Sequence, residues 1–192
     1  MNIKMKKILV FILSSMMCGC FNHTPNFYQP VQNKTTDIVY SDFKDMILIS
    51  PVVVPSEISR PQIVTLGKED YEVRIDEFNR WASQIEKMIQ RVINNDLSLI
   101  FNNARIENQS TLRKDYKYAV NVEIQELSGR LDEKATVKAS YFIRNKSGKI
   151  VKSNNFYEVV AISGDYDAYV PAISDILGNL SKNIAKDIIE IK

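Results

Sequence analysis

The chain has 192 residues and 22.0 kDa, with 45% hydrophobic and 25% charged residues, the composition of one ordinary globular domain. Wholesale disorder, collagen and a multi-span membrane protein are excluded. Lysine and arginine number 25 against 23 acids, a formal charge of +2, which offers no electrostatic footprint for phosphate backbones, so nucleic acid is not expected as a partner.

The first seventeen residues hold Lys4, Lys6 and Lys7 and no acid, then an apolar run from Ile8 to Leu13 continued by Ser14, Ser15, Met16 and Met17. A basic start before an apolar stretch too short to span a bilayer core of about 30 Å is the pattern of a secretory signal peptide. A buried core helix would instead show a polar face at helical spacing, and Ile8 to Leu13 is apolar all round. Met17-Cys18-Gly19-Cys20 then resembles a bacterial lipobox, in which a small residue precedes a cysteine that receives a lipid thioether and becomes the mature N-terminus. Gly19 is suitably small before Cys20, whereas bulky Met17 makes Cys18 a poor acceptor. The competing reading is a Cys18–Cys20 disulfide, whose one-residue loop is strained, and the chain has no third cysteine to pair with either. Cleavage after Gly19 removes three lysines, taking the formal charge from +2 to about −1. Several acyl chains on Cys20 would form a durable anchor, since each buried methylene adds about 0.8 kcal/mol and one chain alone binds reversibly.

From Phe21 to Asp45 the sequence is polar and proline-punctuated with no sustained period; residues 20–45 are expected to be an anchor and tether, with one short strand near Asn26 to Gln29. Met46 to Val54 is an apolar, β-branched run interrupted by Pro51 and stopped by Pro55, which predicts a strand with an edge or bulge at the first proline. The stretch Ser56 to Lys68, followed by alternating Tyr71, Val73 and Ile75, predicts a hairpin across an exposed loop. Asp76 then reads as the N-cap of a long helix, because Phe78, Trp81, Ala82, Ile85, Met88, Ile89, Val92, Leu97 and Ile100 recur at three and four.

Two strands alternate cleanly: Tyr116, Tyr118, Val120, Val122 and Ile124, then Ala135, Val137, Ala139, Tyr141 and Ile143. Each puts one face on a core and one on solvent. Ser128-Gly129-Arg130 and Asn145-Lys146-Ser147-Gly148 supply turns, and Ile150 to Ile162 returns as a third strand, completing a meander. Asp165 opens a last helix striped by Tyr169, Ile173, Ile176, Leu177, Leu180, Ile184 and Ile188, with Pro171 expected in its first turn. The fold expected over residues 46–192 is one α+β domain: a mainly antiparallel sheet of about five or six strands with two long amphipathic helices packed on one face.

Catalysis is not expected. The one histidine, His23, lies beside the proposed anchor, both cysteines lie at 18 and 20, and no glycine spacing forms a phosphate loop, so a nucleophile–base pair, a metal site and a nucleotide cofactor all lack their residues. Asp76 with Glu77, and Asp165 with Asp167, are read as helix-capping groups rather than an acid–base pair.

In order, the lipobox, Ser50-Pro51-Val52-Val53-Val54-Pro55, Arg60-Pro61-Gln62-Ile63-Val64, Glu77-Phe78-Asn79-Arg80-Trp81-Ala82 and Asp165-Tyr166-Asp167 resemble the auxiliary lipoprotein of ABC-type lipid transporters, the paraquat-inducible protein C family. That resemblance implies a periplasmic lipoprotein, usually on the outer membrane, working with an MCE-domain protein and with ABC or integral inner-membrane subunits to move lipids or maintain their asymmetry. Phe21 after the cysteine, in place of the aspartate that favours inner-membrane retention in Gram-negative lipoproteins, points to outer-membrane sorting. On this reading Pro51, Pro55, Arg60, Pro61, Gln62, Ile63 and Val64 form the partner-facing segment, braced by Trp81: the prolines pre-order the backbone, Arg60 makes forked hydrogen bonds, and Ile63 with Val64 offers strand edge or apolar contact. The bland alternative has the prolines ending strands, with Ile63, Val64 and Trp81 in the core. A lipid carrier lined by Tyr116, Tyr118, Tyr141 and Phe142, or a structural envelope lipoprotein, are the competing functions. Homo-oligomers are compatible with either, though no repeat or heptad seam argues for one.

Overall fold

The computed structural model describes residues 24–32, 36–108 and 115–191; the leader and Cys20 lie outside them. Eight strands and two helices follow in the order β1 (Asn26–Tyr28), β2 (Met46–Ile49), β3 (Gln62–Leu66), β4 (Val73–Trp81), α1 (Ile85–Ile100), β5 (Arg105–Asn108), β6 (Tyr118–Arg130), β7 (Lys134–Asn145), β8 (Ile150–Ala161) and α2 (Tyr166–Glu190). The α+β class is as expected. The strands, however, form two mixed sheets rather than one: β5-β2-β6-β7-β8 and β1-β4-β3.

The larger sheet grows from the meander. Tyr118, Val120, Val122 and Ile124 of β6, and Ala135, Val137, Ala139, Tyr141 and Ile143 of β7, join one buried cluster with the stripes of both helices. α2 lies on β7 and β8 and against α1. Strand β2 pairs in parallel with β5 on one side and β6 on the other, and all four of its residues are buried, which is why it reads as a continuous apolar run without alternation. The buried carboxylates on the helices are partnered: Tyr141 Oη donates to Asp187 Oδ2 at 2.6 Å, Lys152 pairs with Asp187 at 3.2 Å, and Ser181 Oγ donates to Asp96 Oδ2 at 3.3 Å. Burial raises the Tyr141 hydroxyl pKa, and its bond to the Asp187 carboxylate adds to the effect.

Two local expectations change. Strand β6 runs through Ser128-Gly129-Arg130, and the turn falls at the next three residues, with Asp132 at φ 62°. Gly129 serves close packing instead: a Cβ there would stand 2.6 Å from the Lys134 carbonyl oxygen and 2.6 Å from the Tyr169 ring. Pro171 is the sixth residue of α2, in its second turn, so the chain forgoes the backbone bond its nitrogen would have donated to Asp167. Asp165 does cap that helix, accepting from the Asp167 N–H at 3.1 Å.

Of the segment read as a tether, residues 26–31 and 37–43 are bound to the body. β1 pairs with β4, Pro30 is buried, and the Val31 N–H donates to Ser174 Oγ at 3.1 Å. Asp37 pairs with Lys182 at 2.6 Å, the Tyr40 N–H donates to the Ile100 carbonyl at 2.7 Å, and the Tyr40 and Phe43 rings sit 5.6 and 5.0 Å from Phe101. An extended strap has no period of its own because each anchor finds its partner on a different element.

Candidate partner-docking site

The segment from Pro51 to Val64 leaves the larger sheet and enters the smaller one. Val53 still pairs with β6, its N–H donating to the Val122 carbonyl at 3.1 Å and its carbonyl accepting from the Ile124 N–H at 2.9 Å; Pro51, which has no N–H to offer, sits exposed just before it. Pro55 then starts a turn whose carbonyl accepts from the Ile58 and Ser59 N–H groups, both at 3.2 Å. Ile58 plugs the turn into the core. The chain emerges at Arg60-Pro61 and runs into β3.

There it meets the end of β4. The Trp81 N–H donates to the Pro61 carbonyl at 2.7 Å and the Ala82 N–H to the Tyr28 carbonyl at 2.8 Å. These ladder bonds explain the main departure from the sequence reading: Glu77 to Ala82 does not open a helix. Asp76 does bond like a cap, its Oδ1 accepting from the Phe78 and Asn79 N–H groups at 2.7 and 2.9 Å. What those bonds hold is a bulge, since Ile63 pairs with Asp76 and Gln62 with Arg80, leaving Glu77, Phe78 and Asn79 of β4 without partners on β3. Tyr166 Oη completes the set by donating to Asp76 Oδ2 at 3.1 Å. Burial opposes ionisation of Asp76, but bonds from the Asn79 amide, the two N–H groups and Tyr166 prevail and hold its carboxyl below the ordinary value. Tyr166 moves the other way, pushed up to about 12 by burial and by the Asp76 charge.

Helix α1 therefore starts at Ile85. Gln84 stands at its N-cap with no side-chain bond to the first turn, so the end of the helix is left open towards solvent. Between it and the Arg60-Pro61 corner lies a cleft of about 470 Å³ lined by Ser59, Arg60, Pro61, Trp81, Ala82, Ser83, Gln84 and Glu86. Arg60 Nε is buried, and it has no hydrogen-bond partner among the described residues. A buried donor without an acceptor is unfavourable by about 1–3 kcal/mol, which an incoming acceptor would relieve.

The eight expected site residues thus divide. Arg60, Pro61 and Trp81 meet in the cleft, with the indole buried beneath it. Gln62 faces away and donates to the Glu77 carboxylate at 3.1 Å, beside the Arg80–Glu77 ion pair at 3.0 Å. Ile63 is fully buried in the core, Val64 is half-buried, and Pro51 and Pro55 lie outside the cleft. Ser59, Ser83 and Gln84 were not singled out by the sequence; they carry no periodic signal, and only the corner brings them together. Among the described residues no three His, Cys, Asp or Glu side chains are grouped to hold a metal, and no helix is long and apolar enough to cross a membrane.

A family model for the ABC-type transport auxiliary lipoprotein component matches residues 29–185. The chain belongs to that family. Its members are transport auxiliaries rather than enzymes, and as lipoproteins they associate with the cell envelope. The fold is shared with a crystal structure of a protein described only as uncharacterized, at 19% identity and a TM-score of 0.73, covering 86% of this chain and 99% of that one. It is also shared with a Xanthomonas campestris protein of the DUF330 family, at 15% identity and a TM-score of 0.68, covering 83% of this chain and 92% of that one. No curated protein matches by sequence. The family match bears out the resemblance to the auxiliary lipoprotein family, and the Arg-Pro-Gln-Ile-Val and Arg-Trp-Ala segments lie within the matched residues.

Proposed function

We propose that this auxiliary component is a periplasmic adaptor, anchored by acylated Cys20 in the inner leaflet of the Gram-negative outer membrane, that docks an MCE-type or ABC-type lipid transport system through the Arg60 cleft and so contributes to outer-membrane integrity. The observation that carries the reading is the cleft itself. On a body that belongs to a transport auxiliary family, it presents an arginine whose buried Nε lacks an acceptor, set on a rigid corner built by Pro61 and the Trp81 ladder bond. A partner carboxylate or carbonyl entering the cleft would meet the Arg60 guanidinium beside a backbone corner already held by the Trp81–Pro61 bond, which lowers the entropy cost of docking. The core beside it is filled by aliphatic stripes, and Tyr118 and Tyr141, two of the side chains a carrier would use as lining, are themselves buried in it.

Affinity purification of the full-length protein from detergent-solubilised envelopes, with partners identified by mass spectrometry, tests the reading. Recovery of an MCE-domain protein with transporter subunits, lost on Arg60→Glu while thermal unfolding stays unchanged, is the expected result. Recovery of tightly held phospholipid with no protein partner overturns it in favour of a carrier.

A further inference from the structure

The smaller sheet covers the core with one face and leaves the other open. Directly paired residues project on the same side of a sheet. Tyr28 with Trp81, and Ile63 with Asp76, mark the inner face, since Tyr28, Trp81 and Ile63 pack in the core. Phe27 with Arg80, Val64 with Ile75 and Leu66 with Val73 therefore mark the outer one. On that outer face Phe27 is 64% exposed, Val73 58% and Ile75 47%. Phe78 in the bulge and Tyr71 near the hairpin tip add two more exposed rings. Arg80 and Gln62, both bonded to Glu77, lie beside Phe27 on that face, so the exposed apolar side chains form two groups, at Phe27 and at Val73 with Ile75. Exposed apolar groups of this kind on a folded domain mark a place where something else sits. Strand β8 also exposes Tyr157 and Val159, but on that face they stand beside Asn155 and, across on β7, the exposed Lys138 that pairs with Tyr157, the pattern of a protected edge.

The covalent chain points to the occupant. Phe27 is seven residues past Cys20, so the backbone keeps the two within about 25 Å of each other even when fully extended. β1, which carries Phe27, is also the strand that closes the open sheet against β4. Whatever surface holds Cys20 is thereby held near this face. We propose that the outer face formed by Phe27, Leu66, Val73 and Ile75 rests on the lipid surface in which Cys20 is anchored, as a second, non-covalent membrane contact. The inference rests on the reading of Cys20 as the acylated residue. Its physical consequence is orientation: an anchor through one residue leaves the domain free to tumble, whereas aromatic and aliphatic side chains seated about 5–10 Å into the headgroup boundary fix which way the Arg60 cleft faces.

The test uses the full-length, processed protein in vesicles of phosphatidylethanolamine and phosphatidylglycerol. With Cys20 blocked by lipid and Cys18 removed with the leader, a single introduced cysteine takes an environment-sensitive fluorophore at Ile75→Cys, Phe27→Cys or, as a control on β8, Tyr157→Cys; Val73→Cys replaces the first if it does not fold. The expected result is a blue shift and quenching by shallow doxyl lipids at 75 and 27, with neither at 157. Water-like emission at 75 in protein whose N-terminal peptide carries the acyl mass overturns the docking and leaves the anchor standing. An unmodified N-terminal peptide instead overturns the anchor and, with it, this inference. Shielding at 75 that appears only on adding a transport partner, without lipid quenching, assigns the face to a protein contact and also overturns it.

Discussion

The two sheets of this molecule are built to different standards of closure. The five-stranded sheet has one face covered by both helices, and its inward residues, from Ile47 to Ile188, form a single cluster with almost no exposure. The three-stranded sheet is thin: a three-residue strand at one edge, a bulged strand in the middle, and an outer face of exposed aliphatic side chains. The larger unit has nothing left to offer a partner on its core side. The smaller one takes its order from the larger, through Ile63, Trp81 and the Tyr166–Asp76 bond, and displays both the Arg60 cleft and the apolar outer face. On the proposed function, stability and recognition fall to separate sheets, so substitutions in the two should separate in kind.

The largest expected effect is in the closed unit. Leu97→Ala, on the fully buried stripe of α1, should lower unfolding free energy by about 2–5 kcal/mol, read as a shift of the urea midpoint. A midpoint left unchanged would mean that the helix layer is not where stability resides. Gly129→Ala comes next, because its Cβ meets backbone at Lys134 and the buried Tyr169 ring, neither of which yields easily; about 1–3 kcal/mol is expected from the same measurement.

In the thin sheet the effects should be smaller and tied to pH. Asp76→Ala removes the acceptor that holds the bulge and should remove about 0.5–2 kcal/mol, as loss of a capping carboxylate does. Because the folded-state carboxyl lies below its ordinary value of 3.8, its contribution is complete above that pH and is lost as the pH falls below it. The stability difference between wild type and Asp76→Ala should therefore shrink on acidification, and a difference that stays constant from neutral pH down to about pH 2 would show that the bulge bonds do not depend on the charge. The smallest effect is expected at Ile75→Ala, within about 0.5 kcal/mol, since the side chain meets no core. A large loss there would show that the outer face is structural and would remove the distinction between the sheets.

The closed unit was legible in the sequence because its signals are local. Strict alternation from Tyr118 to Ile124 and from Ala135 to Ile143, Asn145 to Gly148 at the tight turn, and stripes at three and four through Ile85 to Ile100 and Tyr169 to Ile188 each record a single element that buries one face. The same rule misread Trp81 and Ala82, whose spacing continues the α1 stripe although their N–H groups are committed to Pro61 and Tyr28. Asp76 offered a genuine cap signal, and its carboxylate does bond to the N–H groups two and three residues on. Pairing with β3, rather than the cap, sets the conformation of the residues beyond it. β5, only four residues long with no buried member, had too little period to be seen at all.

Features carried within one stretch of chain could be read from the amino acids alone: the basic-then-apolar leader and its lipobox, the α+β class, the meander, both helix stripes, and the lack of a histidine or cysteine set in the body. Features that depend on which donor meets which acceptor across the chain were settled by the folded arrangement: the split into two sheets, the contacts of Tyr28, Val31, Asp37, Tyr40 and Phe43 with the body, the bulge, and the meeting of Arg60, Pro61 and Trp81 with Ser83 and Gln84. The cause is that a backbone N–H can be satisfied by a helix, a ladder or a side chain at nearly equal free energy. Side-chain period decides the outcome where one face is buried along a whole element, and where the segment is short or two-sided the decision passes to partners distant in sequence.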